Sequence, residues 1–264
     1  MNWIEALILG IIQGLTEFLP VSSSGHLEIG KVILGVEMKE NITFTIVVHG
    51  ATVCSTIVVF YKEIGNLLKG VFTFSWNSSK SYVFKLLFSC IPVLIVALMF
   101  EEKVEALFTG DLKLVGFMLI ITALLLAFTF FARPKSKEIS LMHSFIIGIA
   151  QAIAVIPGIS RSGSTISTGL LLGNDREEVA RFSFLMVLIP ILGKNLLDLF
   201  SNRMGNEPSQ TIPLIVGFLA AFFSGWIACK LMISIVKKSK LIYFAAYCFI
   251  IGMISLIFSY LFRG

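Results

Sequence analysis

Six stretches of the chain are apolar almost without interruption, at about 42–61, 83–100, 114–132, 179–200, 212–235 and 241–262. Each is close to the ~20 residues that a helix needs to cross a hydrocarbon core of ~30 Å. A closed β-barrel would show alternating segments of about ten residues, and these runs are continuous instead. Two further stretches, 3–35 and 140–173, follow another pattern. Each has an apolar half, a break rich in Pro, Gly and Ser, and a second half, and each half is too short or too polar for an easy span. Non-helical backbone is tolerated at membrane depth only where protein or water covers it. The expected architecture is therefore an all-α polytopic membrane protein with six transmembrane helices and two re-entrant helix-loop-helix hairpins, forming a single membrane domain over residues 1–264.

The two broken stretches are copies of each other. A shift of 138 residues carries Gly10 onto Gly148, Ile11 onto Ile149, Gln13 onto Gln151, Ser22 onto Ser160, Ser24 onto Ser162, Gly25 onto Gly163, Leu34 onto Leu172 and Gly35 onto Gly173. It also carries Phe44 onto Phe182, so the repeats extend over about 3–61 and 140–200. A re-entrant hairpin returns to its own side, which leaves three true spans between the copies. An odd number inverts the second copy, as in many transporters built from inverted repeats. In that arrangement Lys62, Lys69, Lys80, Arg133, Lys135, Lys137, Lys237, Lys238 and Lys240 share one side. The opposite loops hold Lys31, Lys39, Lys103, Lys113, Arg203 and Arg263, with Glu101, Glu102, Glu105 and Asp111 crowded into one of them. The positive-inside rule then places both termini outside, with the first hairpin entering from outside and the second from the cytoplasm.

Composition supports the membrane assignment: 56% of the 264 residues are apolar and 14% charged, against about 45–50% and about 25% in soluble domains. Mean hydropathy is +0.92. The N-terminus lacks the basic start of a secretory signal, and Glu5, Gln13 and Glu17 interrupt its apolar stretch. The net charge of +5 lies in short loops, as expected for topology signals and anionic lipid, and does not point to nucleic acid. Cys54, Cys90, Cys229 and Cys248 each sit inside an apolar run and share no metal or redox spacing, so they read as packing.

Candidate chemistry concentrates in the two breaks. The first reads Q-G-L-T-E-F-L-P-V-S-S-S-G-H over residues 13–26. Gln13 and Glu17 are four apart and share a helix face. A carboxylate beside Phe18, Leu19, Pro20 and Val21 is costly in a bilayer and is by default a functional candidate. Pro20 ends the first half-helix. Ser22, Ser23 and Ser24 can cap the second, whose free N–H groups suit phosphate oxygens. His26 lies in its first turn. The second break reads P-G-I-S-R-S-G-S-T over 157–165, where Arg161 is the only Arg or Lys between 140 and 173. Ser160, Ser162, Ser164 and Thr165 surround it with hydroxyls, and a guanidinium fork matches phosphate geometry. An acid, an imidazole, hydroxyls, an arginine and two helix N-termini together suit phosphoryl transfer.

Each residue also has a plainer interpretation. Ser and Gly serve helix packing in membranes, so Ser22 and Ser164 taken alone read as structural. Gln13 may be expected either in the site or bonded to backbone or Gln151, and Glu17, His26 and Arg161 could form a buried structural pair. His49 either lines the cavity or makes one interhelical bond. His143 reads as interfacial, and Glu28, Lys194 and Asp198, near segment ends, as facing water.

The segments G-L-T-E-F-L-P-V-S-S-S-G-H (14–26) and P-G-I-S-R-S-G-S-T (157–165) resemble the two signature motifs of the bacterial undecaprenyl-pyrophosphate phosphatases. These are the bacitracin-resistance phosphatases unrelated to the phosphatidic-acid phosphatase type. Length, spans and repeats fit that family along essentially the whole chain. The resemblance implies hydrolysis of the terminal phosphate of undecaprenyl pyrophosphate, regenerating the lipid carrier for wall polymers. Bacitracin sequesters the pyrophosphate, so extra enzyme gives resistance. The family's Glu/Gln-x-x-x-Glu motif falls on Gln13 and Glu17, its serine and histidine on Ser23 and His26, and its arginine on Arg161.

The resemblance also implies a divalent cation, magnesium or calcium. With one carboxylate and one amide, Glu17 and Gln13, ligation would lean on substrate oxygens, as magnesium allows. On these grounds Arg161 with Ser160, Ser162 and Thr165 is expected to hold the pyrophosphate. Ser23 or His26 attacks the terminal phosphorus, and Glu17 acts as base, orients His26 or helps hold the metal. The expected setting is the bacterial plasma membrane, with the site opening to the extracytoplasmic side and a polyprenyl diphosphate lipid as partner. A homodimer is compatible with the sequence and no motif fixes it. An anionic-lipid transporter or flippase is the second class that inverted repeats suit, and a structural scaffold gives no reason for charges in apolar segments.

Overall fold

In the computed structural model the described residues are 1–36, 42–132, 137–200, 211–238 and 240–261. Lys39, Arg133, Lys135, Arg203 and Arg263, counted above for topology, lie outside them, as does the side chain of Asp198. The described residues form twelve α-helices in the order α1 (Trp3–Phe18), α2 (Ser23–Leu34), α3 (Ile42–Val59), α4 (Tyr61–Val71), α5 (Ser78–Glu105), α6 (Leu112–Phe128), α7 (Leu141–Ile153), α8 (Arg161–Leu171), α9 (Arg176–Met186), α10 (Leu188–Phe200), α11 (Thr211–Lys237) and α12 (Ile242–Leu261). One 3-10 turn, Thr129–Phe131, extends α6, and no strand occurs among these residues.

Both hairpins break where the sequence breaks. Leu19 ends α1 in an extended conformation, as a residue before proline must, and Ser22 caps α2. In the second hairpin Ser160 caps α8. The first hairpin folds back on itself, since a Cβ added at Gly30 of α2 would lie 3.0 Å from Leu9 of α1. The second does likewise, with His143 of α7 and Asn174 beyond α8 joined by a 2.8 Å hydrogen bond.

Among the described residues four helices, α5, α6 with its turn, α11 and α12, are long and apolar enough to cross a bilayer, or five if the bent pair α3–α4 counts as one span. The run expected at 42–61 is α3, after which the chain turns by 77° into α4, where Lys62, Glu63 and Lys69 interrupt the apolar character. The run expected as one helix at 179–200 is two, α9 and α10, separated at Val187. Pro190 supplies the reason: it has no N–H to give the carbonyl of Met186. That carbonyl instead accepts from the Cys90 thiol, 3.6 Å away.

Hairpins and long helices meet through small residues. A Cβ at Gly10 of α1 would lie 2.6 Å from the carbonyl of Gly217 in α11, and one at Gly148 of α7 would lie 2.2 Å from that of Ser89 in α5. Gly116 of α6 and Gly252 of α12 approach reciprocally, each Cβ position 2.9 Å from the other's carbonyl. Without a hydrophobic drive between helices in lipid, such close backbone packing supplies the association.

Two surface expectations change. Glu28 does not face water: it is buried and accepts a 2.7 Å hydrogen bond from the Gly110 N–H, which the tight turn before α6 leaves without a helical partner. Lys31 is not a loop residue but lies in the last turn of α2, buried, with Nζ 3.3 Å from the Thr45 hydroxyl. Lys194 is exposed as expected and pairs with Glu101 at 3.0 Å and Glu105 at 3.3 Å.

The packing generates a paired expectation. Gly148→Ala forces a methyl against a backbone carbonyl that cannot rotate away, so the melting temperature in detergent falls, with a cost of about 1–3 kcal/mol. Gly65→Ala, where nothing lies within 4 Å, leaves it unchanged or raises it slightly. Equal melting temperatures for the two variants would contradict the α5–α7 contact.

Candidate active site

The two hairpin tips touch. A Cβ at Gly25 would lie 3.0 Å from the Cα of Gly158, and one at Gly163 would lie 3.4 Å from Pro20. Gly158 needs to be glycine for a second reason, its φ of +95°. Ser22 holds φ +71° without that freedom, a conformation that costs of order 1 kcal/mol and persists only where the surroundings impose it. Here its hydroxyl accepts the Gly25 N–H at 3.2 Å, and its carbonyl accepts the His26 N–H at 3.1 Å.

Glu17 is the hub. Its side chain is 4% exposed, against 27% for the Arg161 guanidinium that donates to its Oε1. Oε2 accepts from the Ser23 hydroxyl at 2.6 Å and from Gln13 Nε2 at 2.9 Å. His49 of α3 presents Nε2 to the same oxygen at 4.0 Å. The structure thus brings Gln13, Glu17, Ser23 and Arg161 into one cluster, as the sequence anticipates, and sets His49 against it through an interhelical contact from α3 to α1.

His26 is elsewhere. Its Nδ1 bonds the Ser22 carbonyl at 2.8 Å and its Nε2 the Tyr247 hydroxyl at 2.9 Å, with the two rings stacked. A carbonyl only accepts, so Nδ1 carries the hydrogen and Nε2 accepts from the tyrosine. Glu17 therefore does not orient His26 here; the backbone of the cap and α12 do.

Most hydroxyls expected around the phosphate have structural tasks. Ser160 accepts the Gly163 N–H at 3.0 Å, and Ser22 and Ser24 lie 3.3 Å apart, as do Ser160 and Ser162. Ser162 donates to the Leu19 carbonyl at 3.1 Å, tying the second tip to the first. Thr165 bonds the Arg161 carbonyl at 2.9 Å and the Ser183 hydroxyl of α9. Ser164 is buried in the first turn of α8, its N–H on the Ser160 carbonyl at 2.8 Å.

Beside the hub runs a cleft with a polar wall of Glu17, Arg161, Ser162, Thr52, Thr56 and Ser183 and an apolar wall of Phe18, Val53, Phe184, Val187 and Ile191. Thr52, Thr56 and Ser183 escape sequence reasoning because single hydroxyls in spans usually bond their own helix, as Thr52 does to His49 O at 2.8 Å. The spacing of Thr45, His49, Thr52 and Thr56 along one face of α3 is the signal that could have found them.

Among the described residues no three His, Cys, Asp or Glu side chains converge as a metal cage. The Gln13 Oε1 atom is nevertheless buried without a hydrogen-bond partner beside Glu17, an acceptor suited to a cation. The Gln13–Gln151 bond considered above is not made, and the buried Gln151 amide has no partner either.

The sequence profile described as bacitracin resistance protein BacA matches residues 6–254. An undecaprenyl-diphosphatase of Bacteroides fragilis is 57% identical over 99% of this chain and 100% of its own. One of Parabacteroides distasonis is 57% identical over 97% and 98%. One of Christiangramia forsetii is 52% identical over 98% and 99%.

The hub carries a stability expectation. Removing one partner of a buried ion pair strands the other charge at about 3–5 kcal/mol, and the partial exposure of Arg161 puts this pair at the low end. Glu17→Leu and Arg161→Met each lower stability by about 3 kcal/mol, and the Glu17→Leu, Arg161→Met double variant recovers most of it. Unfolding in detergent measures all three; additive losses would refute the coupling.

Proposed function

The chain belongs to the bacitracin resistance protein BacA family, and from that footing we infer that it is a membrane enzyme hydrolysing undecaprenyl diphosphate to undecaprenyl phosphate and inorganic phosphate. The observation that carries the mechanism is the Ser23–Glu17–Arg161 cluster at the meeting of the two tips. Ser23 has the one hydroxyl bonded to a carboxylate there, which suits a nucleophile beside its base. Arg161 faces the cleft, and on substrate binding its guanidinium passes from Glu17 to the phosphate oxygens. Glu17, released from its counter-ion, takes the Ser23 proton as Oγ attacks the terminal phosphorus. Undecaprenyl phosphate leaves as an anion, and water then hydrolyses the phosphoserine. The first turn of α8 adds its free N–H groups to the phosphate grip.

A divalent cation, magnesium or calcium, fits as a shared ligand. Gln13 Oε1 and Glu17 would hold it together with substrate oxygens, and it would offset pyrophosphate charge. His26, held by Ser22 and Tyr247, rigidifies the α2 cap that presents Ser23.

The contacts support six crossings and an inverted pair of re-entrant hairpins. At one end Glu177 pairs with Lys237 at 2.7 Å, Glu63 with Arg181 at 3.9 Å, and Asp175 N–H with the Lys137 carbonyl at 3.0 Å. At the other, Lys194 meets Glu101 and Glu105, and Glu28 meets Gly110. α9 and α10 join Glu177 to Lys194 and so traverse the molecule despite their break. The hairpin of α1 and α2 belongs to the second end and that of α7 and α8 to the first. The basic end is then cytoplasmic, both termini are extracytoplasmic, the enzyme sits in the plasma membrane, and the outer leaflet supplies substrate.

Purified protein in detergent with undecaprenyl diphosphate tests the assignment. Wild type releases phosphate; Arg161→Ala and Ser23→Ala lose at least about 100-fold in turnover, and a chelator lowers the rate. Acid quenching traps phosphate on Ser23 in the wild type. A pure lipid transporter would release none.

A further inference from the structure

The second half-helices of the two hairpins start from equivalent serines with unlike backbones. Ser22 and Ser160 correspond under the 138-residue shift, and each hydroxyl accepts the N–H three residues on. Ser160 does so from ordinary extended backbone, with φ −75° and ψ 119°. Ser22 does so at φ +71° and ψ 96°, and among the described residues it is the one non-glycine residue with positive φ. Capping alone therefore does not require the strain. The first tip must hold something that the second lacks.

That difference is an imidazole. His26 stands where the second copy has Ser164. The Ser22 carbonyl accepts the His26 N–H at 3.1 Å, just as the Ser160 carbonyl accepts the Ser164 N–H at 2.8 Å. The Ser22 carbonyl also accepts from His26 Nδ1 at 2.8 Å. A neutral imidazole has one N–H, and the partners of its two nitrogens decide which one carries it. Tyr247 of α12 supplies the donor for Nε2 at 2.9 Å, with its ring stacked on the imidazole at 5.6 Å and 10°. The next residue of α12 acts on the other side of the break, where the Cys248 thiol donates to the Pro20 carbonyl at 3.6 Å. Pro20 and His26 bracket Ser23, so α12 grips the break on both sides of the hydroxyl that reaches Glu17. A tyrosine serving only as an interfacial anchor turns its hydroxyl to the headgroups; this one turns it to His26.

We propose that Tyr247 is the positioning residue for the nucleophile. By donating to His26 Nε2 it keeps the ring hydrogen on Nδ1, and the imidazole then holds the Ser22 carbonyl. The cap so held turns the next residue, Ser23, to within 2.6 Å of Glu17 Oε2. This rests on the phosphatase assignment with Ser23 as nucleophile. Arg161 starts its half-helix from the relaxed cap and spans the distance to Glu17 with a long side chain. A serine is short, so its backbone has to be brought to the carboxylate, and the strain falls on the first copy.

The test uses Tyr247→Phe, which keeps the ring stack and removes the donor. The kcat falls about 10–100-fold, as for a small misplacement of a reacting group, while KM stays within about twofold because Arg161 still grips the phosphates. The melting temperature in detergent moves little. Tyr243→Phe, one turn earlier on α12 and exposed, changes none of these. Nitrogen NMR of protein carrying isotope-labelled histidine shows His26 with its hydrogen on Nδ1 in the wild type and a loss of that form in Tyr247→Phe. Ser22→Gly separates positioning from packing, since glycine adopts positive φ without strain and costs little at a cap. Added to Tyr247→Phe, it returns most of the lost turnover. Wild-type turnover by Tyr247→Phe, an unchanged His26 tautomer, or no rescue by Ser22→Gly would overturn the role of Tyr247 and leave the phosphatase standing. No phosphate release by the wild type would overturn both.

Discussion

The ion pair between Glu17 and Arg161 is the contact on which the rest of the site depends. Each charge sits at the tip of a short hairpin surrounded by apolar helices, where an isolated ion is expensive. Neither hairpin can bury its tip without the other. Their approach demands glycine at Gly25, where a Cβ would lie 3.0 Å from the Gly158 Cα, while Gly158 itself is held to glycine by its positive φ and by Val115 and Met118 of α6. It also demands that each second half-helix start at once, so Ser22 and Ser160 spend their hydroxyls on caps. The pair makes a resting state in which the guanidinium and the carboxylate neutralise each other. In the proposed mechanism pyrophosphate competes for the guanidinium and so frees the carboxylate beside Ser23.

This constraint explains why so many hydroxyls surround so little chemistry. Backbone polar groups at the half-helix ends must be satisfied without water. Ser22 and Ser160 accept N–H groups within their own hairpins and Ser162 donates to the Leu19 carbonyl of the other, while Thr165 ties α8 to the Ser183 hydroxyl of α9. Ser23 escapes these tasks because it stands one residue past the cap, at the first helical position, with its side chain toward Glu17. Position relative to the cap, more than residue type, separates the hydroxyl that reaches Glu17 from its neighbours.

What the sequence reveals and what it hides divide along the same line. Hairpin halves, breaks and caps are local, set by Pro20, the Ser-rich turns and apolar periodicity, and the helices α1, α2, α7 and α8 fall where those signals place them. The partnership of Gln13, Glu17, Ser23 and Arg161 is legible because charge in an apolar run needs a partner and only one basic residue lies in the second hairpin. The break at Val187 is less so, since an apolar run looks continuous whether or not Pro190 interrupts its hydrogen bonds. The orientation of His26 is hidden because it depends on Tyr247, over two hundred residues away. Glu28 misleads for a related reason: its partner is a backbone N–H in another loop, and no side-chain pattern announces it.

A duplicated scaffold has a problem that a single-copy site does not. Two identical tips would set carboxylate against carboxylate or guanidinium against guanidinium, and neither pair could be buried. The inferred repeats resolve this by diverging at the shared positions. Under the 138-residue shift Glu17 corresponds to Val155, Ser23 to Arg161 and His49 to Val187. The polar positions diverge: the first copy carries Glu17, Ser23 and His49 and the second Arg161, with valines opposite Glu17 and His49. The Ser23–Arg161 correspondence is the most telling, since both occupy the first residue of the second half-helix. From those equivalent places one projects a hydroxyl and the other a guanidinium onto the Glu17 carboxylate between them. In the proposed mechanism that placement presents a phosphate gripped by Arg161 to Ser23, and only the side chains had to become unlike.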